Sequence, residues 1–183
     1  MKILKNITLL SFFGVLSITA SSQSNDECKY LMALTYMRTN IQVNEQIKSW
    51  YSVRRLKEKY IEFNISNRIE YISIYDFKDS LNSLDFGFDK NVSDIVKSFR
   101  DKYYFTSFRS EFLSELMKQI NSTSSVFYLT FSKPVGNILI VFLGNSNPEF
   151  IGVGKAGKGI TMLFKFNSSG IIEKVLYYGA AYS

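Results

Sequence analysis

The 183-residue sequence contains no histidine, one cysteine and two prolines. Without histidine, the chain cannot build a Ser-His-Asp or Cys-His nucleophilic site, a histidine-ligated zinc centre or the usual neutral-pH general base. The single cysteine, Cys28, excludes an internal disulfide, a thiolate metal cluster and a pair of redox-active thiols. The composition therefore predicts no metal centre and no cofactor, and it leaves carboxylate, lysine and tyrosine chemistry for any catalysis.

Long apolar runs are also scarce. Residues 7–20 are mostly apolar, but they are diluted by serine and threonine, follow two lysines and end in a polar segment. A bilayer-spanning helix needs roughly 20 mostly apolar residues. A basic start, a short apolar stretch and small residues before a cleavage point are instead typical of a secretory signal peptide. We therefore predict that residues 1–22 are removed, with cleavage after Ser22 or after Ala20, and that the protein is secreted or periplasmic.

Cys28 raises the question of a lipid anchor. It follows Asn25-Asp26-Glu27 rather than the small apolar box that precedes a lipid-modified cysteine. We expect a soluble product without a stable membrane anchor after cleavage. The thiol is either solvent-facing and able to link two chains, or a partly buried small hydrophobic group, and we expect the second.

The remaining chain has the size and composition of one folded domain, residues 23–183. A hydrophobic content of 46% is too high for a disordered chain. The net charge of +6 falls to +4 without Lys2 and Lys5, since 20 basic residues then face 16 acidic ones. Such a charge favours an anionic ligand only slightly, so we expect a basic solvated surface and no nucleic-acid binding.

Apolar residues recur every three or four positions in several segments, which is typical of amphipathic helices. Acidic residues near helix starts, and Ser or Asn in capping positions, define their N-termini. Helices are predicted from Asp26 to about Thr39, from about Asn44 to Lys59, after a cap at Asn91 or Ser93, and after a cap at Ser110.

Other segments show the period of two that predicts strands. Residues 61–71 fit either two short strands about a Ser66-Asn67 turn or one long bent strand. The continuous apolar run of residues 138–143 fits a strand buried on both faces. Further strands are predicted at residues 126–132, 160–166 and 171–177, the last two joined by a turn that uses Gly170.

This order of elements predicts an α+β domain, in which N-terminal helices pack on a mainly antiparallel sheet that ends in a C-terminal β-meander. The order resembles that of cystatin-like and nuclear-transport-factor-like domains. The resemblance rests on the order of elements alone, and it implies a curved sheet with helices on one face.

The glycine-rich segment 152–159 matches two phosphate-binding patterns, G-x-G-x-x-G and G-x-x-x-x-G-K. Both patterns work where a strand leads into a helix whose first amides face the phosphate. Here a strand pattern follows, and Gly159 occupies the position where a P-loop has Ser or Thr. We therefore predict a connection between strands, with an anion-binding loop as an alternative. The candidate anion-binding residues are Gly154, Lys155, Gly157 and Lys158.

Paired carboxylates are the remaining route to hydrolysis, because two acids facing one cleft can share acid and base roles. Spacing does not reveal which acids meet, so no catalytic residue is assigned. The candidates are Glu62, Glu70, Glu111, Glu115 and Glu149. Four N-x-Ser/Thr sequences within residues 23–183 would accept glycans in a eukaryotic secretory pathway. They begin at Asn64, Asn91, Asn121 and Asn167.

Three functions follow from these features. The first is an exported, non-enzymatic module that binds a protein or envelope component, and it predicts an exposed apolar or aromatic patch. The second is a carboxylate hydrolase, which predicts acids converging in a cleft between sheet and helices. The third is an anionic-ligand binder, which predicts a concave basic surface around Lys155 and Lys158. We favour the first because residue types used in catalysis are scarce.

Overall fold

The computed structural model describes residues 25–51, 62–69, 72, 97, 108–123, 125, 127–145 and 157–182. The predicted signal peptide, the C-terminal part of the second predicted helix and most of the third lie outside these ranges. No helix in the described part of the chain has the length and apolar character to cross a bilayer. The elements are α1 Asn25–Thr39, α2 Ile41–Trp50, β1 Asn64–Ile69, β2 Phe108–Arg109, α3 Glu111–Ile120, β3 Tyr128–Phe131, β4 Ile138–Gly144, β5 Gly157–Phe166 and β6 Ile172–Tyr182.

The strands form one six-stranded sheet in the order β2-β1-β3-β4-β5-β6. Strands β3 to β6 are an antiparallel meander, so the predicted α+β class and C-terminal meander are confirmed. Strands β1 and β3 pair in parallel. The sheet is therefore mixed, which the period-two pattern could not reveal because it carries no information on strand direction. Helix α3 lies between β1 and β3 in the chain, as a parallel connection commonly requires.

Strand β1 resolves the alternatives left open for residues 61–71. A single strand passes through Ser66 and Asn67, and its register against β3 shifts between Ile65 and Ile69. The Ser66 hydroxyl accepts a hydrogen bond from the Arg68 amide at 3.1 Å. The alternative of a single strand is confirmed for residues 64–69, and the predicted turn at Ser66-Asn67 is wrong.

Helix α1 begins with Asp26 and Glu27 and has Arg38 in its last turn, an arrangement that suits the helix dipole. Its buried side chains fall at the spacing of one helical face, and Cys28 lies outside that face and is exposed. The expected partial burial of the thiol is therefore wrong, because Cys28 does not share the helix face that packs on the core. The buried apolar side chains are Tyr30, Ala33, Leu34 and Met37.

Helix α2 begins at Ile41, three residues before the predicted start near Asn44, because Asn40 caps it. The Asn40 carboxamide oxygen accepts a hydrogen bond from the Val43 amide at 3.1 Å. Asn44 is buried inside the helix instead, and its amide nitrogen donates to the carbonyls of Met37 and Asn40. Asn44 thus satisfies a carbonyl in the last turn of α1, which joins the two helices.

The main core lies between one face of the sheet and the three helices. Phe131, Val141, Met162 and Phe164 are completely buried on this helix-covered face. Tyr30 meets the Phe131 ring edge to face, with ring centroids 5.3 Å apart. On α3, Leu113 and Leu116 complete the core, and the Ser110 hydroxyl caps the helix by accepting from the Leu113 amide at 3.2 Å. The predicted cap is confirmed.

The opposite face of the central strands is also closed to solvent. Ile140 on β4 and Leu163 on β5 alternate with core residues, and both are completely buried. Thr130 and Thr161 lie on the same face and are 4% and 2% exposed. The prediction that residues 138–143 form a strand buried on both faces is confirmed.

A pair of carboxamides, Asn64 and Asn121, holds the start of β1 against the end of α3. Asn64 accepts from the Ser122 amide at 2.7 Å and donates to the Ser122 carbonyl at 2.9 Å. Asn121 makes the reciprocal pair of bonds to the amide and carbonyl of Ile65, at 2.8 and 2.9 Å. We call this arrangement the amide clasp. It engages two of the four predicted glycan acceptors, whereas Asn167 lies exposed in the β5–β6 turn.

Candidate functional site

The structure divides the residues of the predicted anion-binding loop. Gly154 and Lys155 lie outside the described residues. Gly157 and Lys158 are the first residues of β5 and pair with Tyr182 and Ala181 of β6. Strand β5 therefore begins three residues before the predicted Ile160, and the last three residues of the glycine-rich segment are part of the sheet. Anion binding by the segment stays a prediction.

Gly159 has a packing role. Its partner on β4 is Gly144, and the ring of Phe142 lies across this pair. A β-carbon added at Gly159 would come within 2.2 Å of the Phe142 ring, so a larger residue would displace the aromatic side chain. The last glycine of the 152–159 segment is thus explained by sheet packing, without reference to a phosphate.

The candidate carboxylates do not converge within the described part of the chain. Glu111 and Glu115 lie on the exposed side of α3, where Glu115 forms an ion pair with Lys118 at 2.6 Å. Glu62 is exposed just before β1. Its charge partly offsets the effect of burial, which lowers the pKa of the Arg38 guanidinium. Glu70 and Glu149 lie outside the described residues, which contain no group of three potential metal-ligating side chains.

The candidate binding surface is the edge of the sheet at β6. This strand has 11 residues and pairs with β5, and with no other strand in the described part of the chain. Its two charged residues, Glu173 and Lys174, both lie near its beginning. The segment that follows, Val175 to Tyr182, has the sequence VLYYGAAY and contains no charge.

Aromatic side chains of the helices hold β6 in place on the helix-covered face. The Trp50 ring lies over Gly179, where an added β-carbon would come within 2.8 Å of it. The Tyr36 and Tyr177 hydroxyls are hydrogen-bonded at 3.3 Å, and Tyr36 also meets the Phe164 ring edge to face. Burial and the Tyr36 hydroxyl raise the pKa of Tyr177 well above its usual value.

The side chains of β6 alternate between two different surroundings. Val175 and Tyr177 pack against the main core, whereas Leu176 and Tyr178 lie on the opposite face, beside Leu163 and Thr161 of β5. Tyr178 is 40% exposed. Strand β6 thus combines a backbone edge that no other described strand pairs with and apolar side chains on both faces.

Sequence reasoning predicted a strand from 171 to 177 but missed its length and its place at the edge. The pattern of alternation fades after Tyr177, because Gly179 and the two alanines are small. The place at the edge depends on the strand order, which local periodicity does not contain. The sequence carried no signal for this place at the edge, since edge strands commonly carry protective charges and β6 has none after Lys174.

Comparison with known proteins gave no assignment. The chain matches no protein-family model, and neither the curated proteins nor the solved structures gave a significant match.

Proposed function

We propose that the chain is exported, loses residues 1–22 and acts as a soluble, non-enzymatic module that binds an extended segment of a partner protein along β6. The partner is a secreted protein or a protein component of the cell envelope. The observation that carries the proposal is the 11-residue edge strand, which has no charge after Lys174. Export is proposed from the sequence of the first 22 residues alone.

The backbone of an edge strand presents amide and carbonyl groups that an additional strand can pair with. Eleven residues span about 36 Å at the usual rise of a strand, which is long enough for a full peptide strand. Natural proteins block such edges with short strands, prolines, bulges or charges. In β6 the register shift and both charges lie at its beginning, so its last eight residues lack these protections.

The side chains beside the edge indicate the chemistry of the partner segment. An added strand would place alternate side chains next to Val175 and Tyr177 on the helix-covered face, and next to Leu176 and Tyr178 on the other. Apolar and aromatic side chains therefore suit both faces of the partner strand.

The other two functions lack comparable support. The described glutamates are spread over the exposed side of α3 and the approach to β1, so the hydrolase alternative has no acid pair on which to build. The anionic-ligand alternative depends on Gly154 and Lys155, which lie outside the described residues. Both stay predictions from sequence.

The proposal can be tested by filling the edge within the same chain. A two-residue Asn-Gly turn and a strand complementary to β6 are appended after Ser183, so that the new strand pairs with β6. A displayed library of random peptides of strand length is then selected on the unmodified protein. We expect the selected peptides to alternate apolar residues and to lose binding to the strand-filled protein, which is measured by titration calorimetry.

Two controls make the result specific. An appended segment of the same composition, with prolines at alternate positions, cannot pair and should leave peptide binding intact. Tyr178→Lys adds a charge beside the edge and should weaken binding, whereas Gln46→Lys adds the same charge on the exposed side of α2 and should not. Selected peptides that bind the strand-filled protein as well as the unmodified one would refute the proposal.

A further inference from the structure

The turn between β5 and β6 carries the sequence Asn167-Ser168-Ser169, which matches the acceptor motif for N-linked glycans. The motif places a hydroxyl side chain two residues after the asparagine, and the sugar is attached to the side-chain nitrogen Nδ2 of that asparagine. All three residues are exposed in the folded protein. The asparagine and the third residue of the motif are therefore both accessible.

Hydrogen bonds of the turn determine which atom of the Asn167 carboxamide points outwards. The oxygen Oδ1 accepts from the backbone amides of Ser169 and Ile171, each at 3.0 Å. Two N–H donors require the oxygen in this position, so Nδ2 lies on the other side of the carboxamide group. No described residue accepts a hydrogen bond from this nitrogen. Attachment of a sugar to Nδ2 would thus leave both hydrogen bonds of the turn intact.

Asn64 begins the same type of motif, but the amide clasp engages its nitrogen. Asn64 Nδ2 donates to the Ser122 carbonyl at 2.9 Å and to the Ser125 carbonyl at 3.4 Å. The Asn64 side chain is buried, and so is Ser66, the third residue of its motif. A sugar on Asn64 would replace a hydrogen that the clasp uses, and it would need space inside a closely packed part of the protein.

The motif at Asn121 is intermediate between these two. Asn121 is exposed, but its Nδ2 donates to the Ile65 carbonyl at 2.9 Å as part of the clasp. The motif at Asn91 lies outside the described residues. Within the described part of the chain, only the motif at Asn167 combines an exposed asparagine with an Nδ2 that makes no hydrogen bond to the protein.

An exposed apolar side chain lies next to this acceptor. Ile171 is 56% exposed, the largest fraction among the large apolar side chains of the described residues. Its backbone amide is one of the two that bond to the Asn167 oxygen. Because a glycan is bulky and hydrophilic, one attached to Asn167 would limit the contact of Ile171 with other molecules.

We propose that Asn167 carries an N-linked glycan in the mature protein. The proposal rests on the proposed export, because the sugar donor and the transferring enzyme belong to the export pathway. The donor is an oligosaccharide joined through a pyrophosphate to a membrane lipid. Asn167 Nδ2 forms a bond to the anomeric carbon of the first sugar and loses one proton to a base of the enzyme. The bond between this carbon and the pyrophosphate oxygen breaks, and the lipid pyrophosphate leaves with the electron pair.

Mass spectrometry of the secreted protein tests the proposal. The full chain is expressed in eukaryotic cells and purified from the medium. A peptide N-glycosidase then releases the glycans in water labelled with a heavy oxygen isotope. This enzyme converts each glycosylated asparagine into a labelled aspartate, which peptide mass spectrometry locates. We expect the label at residue 167 and none at residue 64.

Two neighbouring serines provide a matched pair of variants. Ser169→Ala removes the hydroxyl that the motif requires and should abolish the glycan, whereas Ser168→Ala changes the middle position and should retain it. Both variants keep the turn, because Asn167 accepts from the backbone amide of Ser169 rather than from its hydroxyl. Secreted protein without label at residue 167, or a label there that persists in Ser169→Ala, would overturn the proposal.

A second form of the chain separates this result from the proposal of export. In it, a signal peptide of known activity replaces residues 1–22. If the unaltered chain stays in the cells and this form is secreted with a glycan at residue 167, export by residues 1–22 is wrong and Asn167 is confirmed as the acceptor. If this form is secreted without that glycan, the glycan proposal is wrong, whatever the result at β6.

Discussion

At one edge of the sheet, β6 runs for 11 residues with no charge after Lys174, whereas at the other edge the described part of β2 has two residues and ends in Arg109. Short strands and charges are both devices that prevent another chain from pairing with an edge. The β2 edge therefore resists strand addition and offers charge instead. The β6 edge offers backbone groups with little to repel a partner.

The two ends of the sheet are also held by different interactions. Hydrogen bonds of the amide clasp fix β1, which carries β2, to α3. Strand β6 is fixed to α1 and α2 by contacts of aromatic rings, above all Trp50 on Gly179 and Tyr36 on Phe164. Removing one partner of a hydrogen-bonded clasp lowers the free energy of unfolding because the other partner loses its hydrogen bonds. An aromatic contact depends instead on how closely the two surfaces fit together. This difference in how the two ends are held can be tested by substitution.

Asn64→Ala should have the largest effect on stability. Asn64 is 4% exposed, and its removal breaks its hydrogen bonds with the amide and the carbonyl of Ser122. Unpaired buried groups cost about 1–3 kcal/mol each, so we expect the free energy of unfolding to fall by about 2–3 kcal/mol. Urea unfolding followed by circular dichroism measures the loss.

The control for the clasp is Gln119→Ala, at an exposed position of α3. It should change the free energy of unfolding by no more than about 0.5 kcal/mol. The loss in the free energy of unfolding for Asn121→Ala should lie between those for Asn64→Ala and Gln119→Ala. Asn121 takes part in the clasp as Asn64 does, but it is more exposed. A loss for Asn64→Ala no larger than that for Gln119→Ala would show that the clasp does not hold this end of the sheet.

Gly179→Ala tests the aromatic contact at β6. The added methyl group would meet the Trp50 ring at 2.8 Å, and overpacking of this kind destabilises proteins by about 1–3 kcal/mol. We expect a loss near the lower end, about 1–2 kcal/mol, because the edge strand can shift outward. The same urea experiment measures it.

The matched control is the double variant Trp50→Leu with Gly179→Ala. Without the indole, the new methyl group has no ring to displace. The loss in the double variant should therefore be smaller than the sum of the two single losses. Additive losses would show that the Trp50 ring does not limit the approach of β6.

Features that depend on neighbouring residues could be predicted from sequence, whereas contacts between distant segments could not. The Ser110 cap and the turn at Gly170 depend on neighbouring residues, and both were predicted correctly. The amide clasp joins Asn64 to Ser122 across 58 positions, so no local pattern announces it. The pairing of Arg68 on β1 with Arg109 on β2 likewise depends on register between distant segments.

Burial could be predicted where the hydrophobic pattern was strong, and the prediction failed where that pattern was weak. The continuous run of residues 138–143 predicted a strand buried on both faces, because polar positions were absent. Helix α1 has polar residues on every side, and its lysine Lys29 is buried while Cys28 is exposed. The Lys29 ammonium reaches the carbonyl of Gly136 at 2.8 Å, a tertiary contact that no helical periodicity predicts.

Tyr177→Phe should have the smallest effect of the substitutions at neutral pH, and its effect depends on pH. The hydroxyl pair contributes one long hydrogen bond to Tyr36, so we expect a loss of less than about 1 kcal/mol at pH 7. The pKa of Tyr177 is raised in the folded protein. Its protonated form is therefore favoured by folding relative to the unfolded chain, where tyrosine ionises at about pH 10.

The sign of the pH effect follows from this difference. The stability associated with the raised pKa is fully present below pH 10 and is lost progressively above it, because the unfolded chain then releases a proton that the folded protein retains. As the pH is raised from 9 to the alkaline limit of folding, the free energy of unfolding should fall less in Tyr177→Phe than in the unmodified protein. The difference should develop above about pH 10, where tyrosine ionises in the unfolded chain. Parallel urea titrations across this range provide the measurement. If the free energy of unfolding had the same dependence on pH in both proteins, Tyr177 would ionise as freely in the folded protein as in the unfolded chain. The contact with α1 would then not bury the Tyr177 hydroxyl.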